Sequence, residues 1–190
     1  MAQASLSSLS DFQVILVPGL HDSSFEHWQS RWQRAHPDFW RVRQDDWHTP
    51  DLRAWAAGLD QVRALDKRPA LLVAHSFGCL VALYSITHDA RAVAGALLVA
   101  PADPDKFGVA GMLPSSPVDF PTILISSSND PWMRAGQAAR WARRWGSTLI
   151  EAGALGHINA DSGLGDWPFG QKQLQLLYDC AHNRQLALTI

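Results

Sequence analysis

The sequence predicts one α/β domain built on a six-stranded parallel sheet of order 2-1-3-4-5-6, with helices on both faces. The first observation is a set of six short β-like runs, four of them continuously apolar and bounded by Gly, Pro or Asp, as is typical of strands covered on both faces. The second is that longer segments with helical spacing separate these runs, which favours a parallel sheet with right-handed crossovers. The third is that residues suited to catalysis follow the first, third, fifth and sixth runs.

Each predicted strand is a short run with an apolar or β-branched pattern. The six runs span residues 12–17, 39–43, 70–74, 95–100, 121–127 and 147–152. The five predicted helices lie between them and after the last, at residues 24–36, 49–65, 77–89, 131–145 and 171–185. The third helix is apolar along nearly its whole length, which predicts that it is buried. The second begins with Thr49 as the predicted N-cap and Pro50 at the first helical position.

The composition indicates a single globular domain and argues against several classes of function. The chain has 190 residues, 47% of them hydrophobic, which is enough to bury a sizeable core. A formal net charge of −2 gives no electrostatic case for a nucleic-acid partner. The two cysteines, Cys79 and Cys180, are too few for a disulfide scaffold and lack metal-ligand spacing. We therefore expect no metal and no cofactor.

The N-terminal segment MAQASLSSLSDF has no positively charged region and no continuous apolar core, so it is not the pattern of a signal peptide. No apolar run approaches the roughly 20 residues that a membrane-spanning helix needs. We expect a cytoplasmic protein with no membrane partner, in which residues 1–10 form a flexible tail and residues 11–190 a single domain.

Ser76 lies where the third predicted strand meets the buried helix, in the segment Ala74-His75-Ser76-Phe77-Gly78. A serine at such a junction indicates a nucleophile elbow, a sharp turn that lifts the hydroxyl above the C-terminal edge of the sheet. The usual pattern is Gly-x-Ser-x-Gly, and here an alanine, one methyl larger, occupies the first glycine position. The alternative is that Ser76 only caps the helix.

Two later loops supply the partners that a serine nucleophile needs. A histidine must take the proton of the hydroxyl, and a carboxylate must orient that histidine and stabilise its charged form. Asp130 follows the fifth predicted strand in SSSNDPW, and His157 follows the sixth in the glycine-rich GALGHINADSGLGDWPFG. The order serine, acid, histidine, each after a strand, is that of the α/β hydrolases. The sequence therefore predicts a catalytic triad of Ser76, His157 and Asp130.

Nearby residues of the same types compete for these roles. The competing acids are Asp103, Asp105 and Asp161. His75 adjoins the serine, so we expect a packed, hydrogen-bonded residue rather than the catalytic base. His27, beside the first loop, is expected either to touch substrate or to be structural.

The predicted oxyanion hole consists of two backbone N–H groups. One belongs to Phe77, at the N-terminus of the buried helix, and the other to the loop after the first strand. Leu20 is the preferred donor in that loop, with His21 as the alternative. Substrate contacts are predicted for His21, Phe107 and Trp132, which lie in the loops around the site.

Four motifs, spread over roughly residues 12–180, carry a resemblance to a known family: VPGLHDSSFEHWQSRW, AHSFGC, SSSNDPW and GHINADSGLGDWPFG. The chain resembles the small serine hydrolases of the family that includes the human retinoblastoma-binding hydrolase and bacterial homologues. The resemblance implies a compact α/β-hydrolase fold that lacks the first two strands of the larger fold, with the triad placed as above. The Leu-x-Cys-x-Glu signature for retinoblastoma protein is absent, so that partnership is not implied.

Only residues 101–120 separate the fourth and fifth predicted strands, too few for a lid domain. We therefore expect an exposed, shallow site that takes a small ester or amide substrate. The predicted function is that of a serine hydrolase, carboxylesterase-like, working through an acyl-enzyme intermediate. The alternatives are an aminopeptidase-like hydrolase and a non-catalytic protein-binding member of the fold. A nucleic-acid site on the Arg- and Trp-containing helix at 131–145 is disfavoured by the net charge.

Overall fold

The computed structural model describes residues 9–188 and contains one six-stranded sheet. The strands are β1 Gln13–Val17, β2 Trp40–Arg41, β3 Ala70–His75, β4 Val93–Val99, β5 Thr122–Ser126 and β6 Thr148–Glu151. Their spatial order is β2-β1-β3-β4-β5-β6, and every neighbouring pair is parallel. The predicted strand number, order and direction are confirmed.

Five helices cover the two faces of this sheet. They are α1 Trp28–Ala35, α2 Leu52–Arg63, α3 Phe77–His88, α4 Ala135–Trp145 and α5 Pro168–Leu188. Along each central strand, alternate side chains enter two different apolar clusters, because successive residues of a strand point to opposite faces. In β3, Leu72 and Ala74 pack with α2, α3 and α4, whereas Leu71 and Val73 pack with α1 and α5. Helices on both faces are therefore confirmed.

Helix α3 is buried along most of its length, as its apolar sequence predicts. It packs between the sheet and α2, and residues Phe77 to Leu83 are all buried. Burial on every side removes the amphipathic pattern that a surface helix shows. The helix therefore gives the C-terminal end of β3 a rigid continuation.

The helix starts differ from the predicted ones by up to four residues. Asp51, not Thr49, caps α2, because its carboxylate accepts the N–H groups of Arg53 and Ala54. Helix α4 begins at Ala135 rather than at 131, since the residues after Asp130 first form a turn. A carboxylate that accepts two first-turn N–H groups stabilises a helix start at its own position.

Residues 101–120 contain a single short 3-10 turn, Ala110–Met112, and no lid domain. Leu113 and Phe120 anchor this segment to the core.

Most of the predicted tail, residues 1–8, lies outside the described residues, and Leu9 is buried against the α1/α5 side of the sheet. None of the helices between residues 9 and 188 is both long and apolar enough to cross a bilayer.

Gly78→Ala should destabilise the protein by about 3 kcal/mol or more, because overpacking against rigid backbone cannot be relieved by a rotamer change. A Cβ atom at this position would lie 2.3 Å from the carbonyl oxygen of Val17 and 2.5 Å from that of Pro18. Urea unfolding gives the free-energy change. Gly136→Ala is the matched control, since its Cβ would meet nothing within 4 Å and alanine favours a helix. Equal stability of the two variants would contradict the close backbone contact.

Candidate active site

Ser76 occupies the turn between β3 and α3, with φ 53° and ψ −124°. A positive φ is uncommon for serine and is held here by the surrounding packing. The turn at Ser76 packs closely against the end of β1 and the residues after it, and both segments need glycine there. A Cβ at Gly19 would lie 2.7 Å from the Cβ of Ser76, and one at Gly78 would enter the β1 backbone. The Ser76 side chain makes no helix-capping hydrogen bond. Its role as a mere helix cap is therefore wrong, and its hydroxyl is directed elsewhere.

The Ser76 hydroxyl is hydrogen-bonded to His157. The distance from Oγ to His157 Nε2 is 2.8 Å, and His157 Nδ1 lies 3.0 Å from both carboxylate oxygens of Asp130. The Asp130 side chain is 2% exposed and also accepts the N–H of Trp132 at 2.9 Å. A carboxylate accepts but does not donate, so it holds the His157 proton on Nδ1 and leaves Nε2 free to accept the serine proton.

In residues 9–188, none of the competing acids hydrogen-bonds to His157, although Asp103 and Asp161 border the same cavity. Asp105 pairs with Arg140, and Asp161 is exposed. Asp103 is buried at the edge of the cavity, where its Oδ1 accepts the N–H of Asp105 at 3.1 Å. Within the described part of the chain, Asp130 is the acid that bonds to His157.

Two side chains that the sequence analysis did not single out join the acid loop to the histidine loop. Ser127 Oγ accepts the N–H of Leu155 at 2.9 Å, and Asn129 Oδ1 accepts the N–H of Gly156 at 2.7 Å. Ser127 Oγ in turn donates to Asn129 Oδ1 at 2.9 Å. These three hydrogen bonds form a clamp between the acid loop and the histidine loop, and the polar run SSSND was the sequence signal that could have indicated it. The clamp fixes the position of His157 relative to Asp130, because it holds the backbone N–H groups just before His157.

The His157 loop is also anchored from the opposite side. His75 Nε2 donates to the carbonyl oxygen of His157 at 2.9 Å, and Trp28 Nε1 donates to that of Ile158 at 2.9 Å. Ile158 has φ 49°, a conformation that a β-branched residue adopts only when its surroundings hold it there. The expectation that His75 is packed and hydrogen-bonded is confirmed.

Two backbone N–H groups near Ser76 are unoccupied. In residues 9–188, neither the N–H of Leu20 nor that of Phe77 donates a hydrogen bond. The N–H of His21 donates to the carbonyl oxygen of Trp47 at 2.9 Å. His21 is therefore unsuited to the second oxyanion position, and Leu20 remains available for it.

A cavity of about 460 Å³ opens at Ser76 and His157. The three predicted substrate-contact residues, His21, Phe107 and Trp132, all border it. Trp132 is 59% exposed, with its ring 6.3 Å from that of His157. Phe107 packs against Phe77 with ring centres 5.0 Å apart. The cavity therefore has an apolar wall on the Phe107 side and an exposed aromatic rim.

Two buried histidines beside the cavity are kept neutral. Burial lowers the pKa of His27 to about 3, with the charges of Arg41 and His157 acting in the same direction. Burial also lowers the pKa of His75 well below its ordinary value, and the proximity of the His27 and His157 rings acts in the same direction. Both rings therefore act as neutral hydrogen-bonding groups.

Among residues 9–188, no three His, Cys, Asp or Glu side chains form a group that could hold a metal ion.

The doubly covered parallel sheet, with a serine on the turn between a central strand and a buried helix, defines an α/β-hydrolase fold. The chain belongs to the serine hydrolase family, whose family model, described as "Serine hydrolase", matches residues 14–176. The predicted membership in a family of small α/β-hydrolase-fold serine hydrolases is thereby confirmed, and the protein is a hydrolase of this family.

Solved structures agree with this assignment. A YdeN-like hydrolase from Pectobacterium atrosepticum is 39% identical, with TM-score 0.87 over 90% of this chain and 92% of that chain. The ydeN gene product from B. subtilis shares the fold at 22% identity, with TM-score 0.72 over 88% and 99% of the two chains. A hydrolase of the α/β superfamily from Xanthomonas campestris shares it at 16% identity, with TM-score 0.64 over 89% and 98%. No curated protein sequence matches the chain significantly.

The stability of the protein should fall as the pH drops below 6.5, because His27 must stay neutral in the fold. Its pKa is about 3 when folded and about 6.5 when unfolded, so the unfolded chain binds the extra proton between these values. The contribution is complete above pH 6.5 and is lost toward pH 3, by up to about 1.4 kcal/mol per pH unit. Urea unfolding at several pH values measures the slope.

The comparison of two His→Asn variants isolates this effect. His27→Asn keeps a side chain able to cap α1 but removes the titrating ring, so the slope should become shallower. His36→Asn makes the same change at the other end of α1, where the histidine is partly exposed, and should keep the wild-type slope. Identical slopes in wild type and His27→Asn would contradict the neutral, buried state of His27.

Proposed function

We propose that the protein hydrolyses small esters through an acyl-enzyme intermediate on Ser76. The observation that carries this proposal is the chain of hydrogen bonds from Ser76 Oγ to His157 Nε2 at 2.8 Å and from His157 Nδ1 to Asp130 at 3.0 Å. Such a chain allows a serine hydroxyl to lose its proton as it attacks, which is the step that a free serine performs poorly. The membership in a serine hydrolase family supports the same reading.

In the acylation step, Ser76 Oγ attacks the ester carbonyl carbon while its proton passes to His157 Nε2. The charge that develops on the carbonyl oxygen is stabilised by the unoccupied N–H groups of Leu20 and Phe77, since donors fixed in advance favour the transition state over the neutral ester. The bond from the carbonyl carbon to the alcohol oxygen then breaks. His157 Nε2 gives its proton to that oxygen, the alcohol leaves, and the acyl group remains on Ser76.

In the deacylation step, a water molecule attacks the acyl carbonyl and gives one proton to His157 Nε2. The bond to Ser76 Oγ breaks, the serine recovers its proton from His157, and the free acid leaves. Asp130 stabilises the charged imidazolium in both steps without itself taking up the proton. No cofactor is required for either step.

The non-catalytic alternative is tested by covalent labelling. A fluorophosphonate probe reacts with an activated serine, so it should modify Ser76 in the wild type and nothing in Ser76→Ala.

The nucleic-acid alternative receives no support from α4. Trp141 and Trp145 are buried in the core, where they cannot stack on bases.

A second candidate is an aminopeptidase-like hydrolase that acts on substrates with a free amino group. The observation that favours it is Asp103, which is buried at the cavity and, among residues 9–188, forms no ion pair with a cationic side chain. A buried carboxylate is costly unless it is paired, and a substrate ammonium group would supply the partner.

Ser76→Ala and His157→Ala should each lower kcat on p-nitrophenyl butyrate by several orders of magnitude. Residues of a triad act as a unit, and related triads lose on the order of 10⁶ in kcat. Asp130→Asn should cost less, on the order of 10⁴, because the histidine remains but in the wrong tautomer. Steady-state kinetics on purified variants give these ratios.

Asp161→Asn is the matched control for the acid, since it removes a charge near the histidine loop without touching His157. It should retain at least a tenth of the wild-type activity. Full activity in Asp130→Asn, together with a large loss in Asp161→Asn, would overturn the assignment of the acid.

Activity on p-nitrophenyl esters should reach a plateau or decline beyond roughly four acyl carbons. Each methylene buried in an apolar pocket gains about 0.8 kcal/mol, but without a lid the later methylenes stay in water. The measurement is kcat/KM from acetate to decanoate, with aminoacyl p-nitroanilides alongside. A steady rise through ten carbons would contradict the shallow site. Turnover of the anilides without turnover of the esters would favour the second candidate.

A further inference from the structure

His27 carries a buried hydrogen-bond donor that has no partner in the part of the chain that the structure describes. Its Nδ1 accepts the backbone N–H of Gln29 at 3.2 Å, so the proton of the neutral ring is on Nε2. That nitrogen is buried and has no hydrogen-bond partner among residues 9–188, although the residue borders the cavity that contains Ser76. A buried, unpaired donor destabilises the folded state. A donor retained at this cost beside an active-site cavity suggests a ligand that completes it.

His75 offers the complementary acceptor next to this donor. Its Nε2 bonds to the carbonyl oxygen of His157, and because a carbonyl oxygen can only accept, the proton is on Nε2 and the lone pair on Nδ1. Among residues 9–188, His75 Nδ1 has no hydrogen-bond partner. The His75 ring is 4.8 Å from that of His27 and 5.0 Å from that of His157, and it borders the same cavity.

We propose that His27 and His75 form a subsite for a substrate hydroxyl group beside Ser76. The hydroxyl oxygen accepts a hydrogen bond from His27 Nε2–H, and the hydroxyl O–H donates a hydrogen bond to His75 Nδ1. This inference rests on the proposed ester hydrolysis and adds a substrate class to it, namely hydroxylated small esters. The hydroxyl belongs either to the acyl part, as in a hydroxy acid, or to the alcohol part, as in a diol monoester.

The chemistry of the two rings disfavours charged groups. An ammonium group would face the Nε2–H of His27, which cannot accept a hydrogen bond. A carboxylate would face the lone pair of His75 and would find no positive charge on either ring, because burial keeps both neutral. A hydroxyl is donor and acceptor at one atom. It therefore satisfies both nitrogens at once without bringing a charge into a dry site.

The test compares esters that differ only by a hydroxyl in place of a methyl. The acyl pair is p-nitrophenyl 3-hydroxypropionate and p-nitrophenyl butyrate, and the alcohol pair is 2-hydroxyethyl butyrate and propyl butyrate. In the wild type, the hydroxylated member of one pair should have the higher kcat/KM by about tenfold, since the methyl analogue leaves buried polar groups unpaired. The pair that shows the preference locates the hydroxyl on the acyl or the alcohol side.

His27→Asn should reduce this ratio to about one, because it keeps the cap on Gln29 but lacks the ring N–H. Since the ratio is taken within each variant, a general loss of activity cancels. His36→Asn should keep the wild-type ratio. A wild-type ratio near one in both pairs, or an undiminished ratio in His27→Asn, would overturn the subsite.

Equilibrium binding separates this inference from the proposed function. In Ser76→Ala, which binds esters without cleaving them, NMR titration should show the same tenfold preference for the hydroxylated member. If Ser76 of the wild type does not react with a fluorophosphonate, ester hydrolysis through Ser76 is overturned. The subsite is still tested in that case, because the binding preference is measured independently. Equal affinities for the two members of both pairs would overturn the subsite even in an active enzyme.

Discussion

The close contact between the turn after β3 and the end of β1 is the constraint on which the active site depends. Gly78 packs directly on the carbonyl oxygens of Val17 and Pro18, and Gly19 on the side chain of Ser76. Because no side chain separates the two segments, the turn and the loop after β1 lie together at one edge of the sheet. The unoccupied N–H groups of the two segments therefore border the serine, which is the arrangement that an oxyanion hole requires.

The second requirement is that a glycine-rich loop hold a histidine in one place. This loop would be mobile by itself, but the Ser127–Asn129 clamp joins it to the acid loop, and His75 and Trp28 bond to carbonyl oxygens on its other side. Trp28 of α1 thus serves both the core and the site. The side chains of His75 and Trp28 are buried, so their hydrogen bonds compete little with water, and a low dielectric strengthens them.

Much of the fold could be predicted because local pattern and tertiary environment agree. The apolar runs of β1, β3, β4 and β5 are covered on both faces, which is the environment that a continuous apolar run indicates. Boundaries were less predictable where two signals competed. Thr49 and Asp51 are both good N-caps, and only the path of the chain over the sheet places Asp51 at the helix start. Pro131 suggests a helix start, yet the turn at Asp130 delays it.

By itself, the sequence determined the order of strands and helices and the three loops that carry Ser76, Asp130 and His157, because strand–helix alternation and residue type are local properties. Only the tertiary structure decided which acid reaches His157, that the N–H of His21 is occupied, and that His27 and His75 adjoin at the cavity. These contacts join segments that lie far apart along the chain. Their geometry depends on how the loops are held at one edge of the sheet, and no local pattern of residues encodes that.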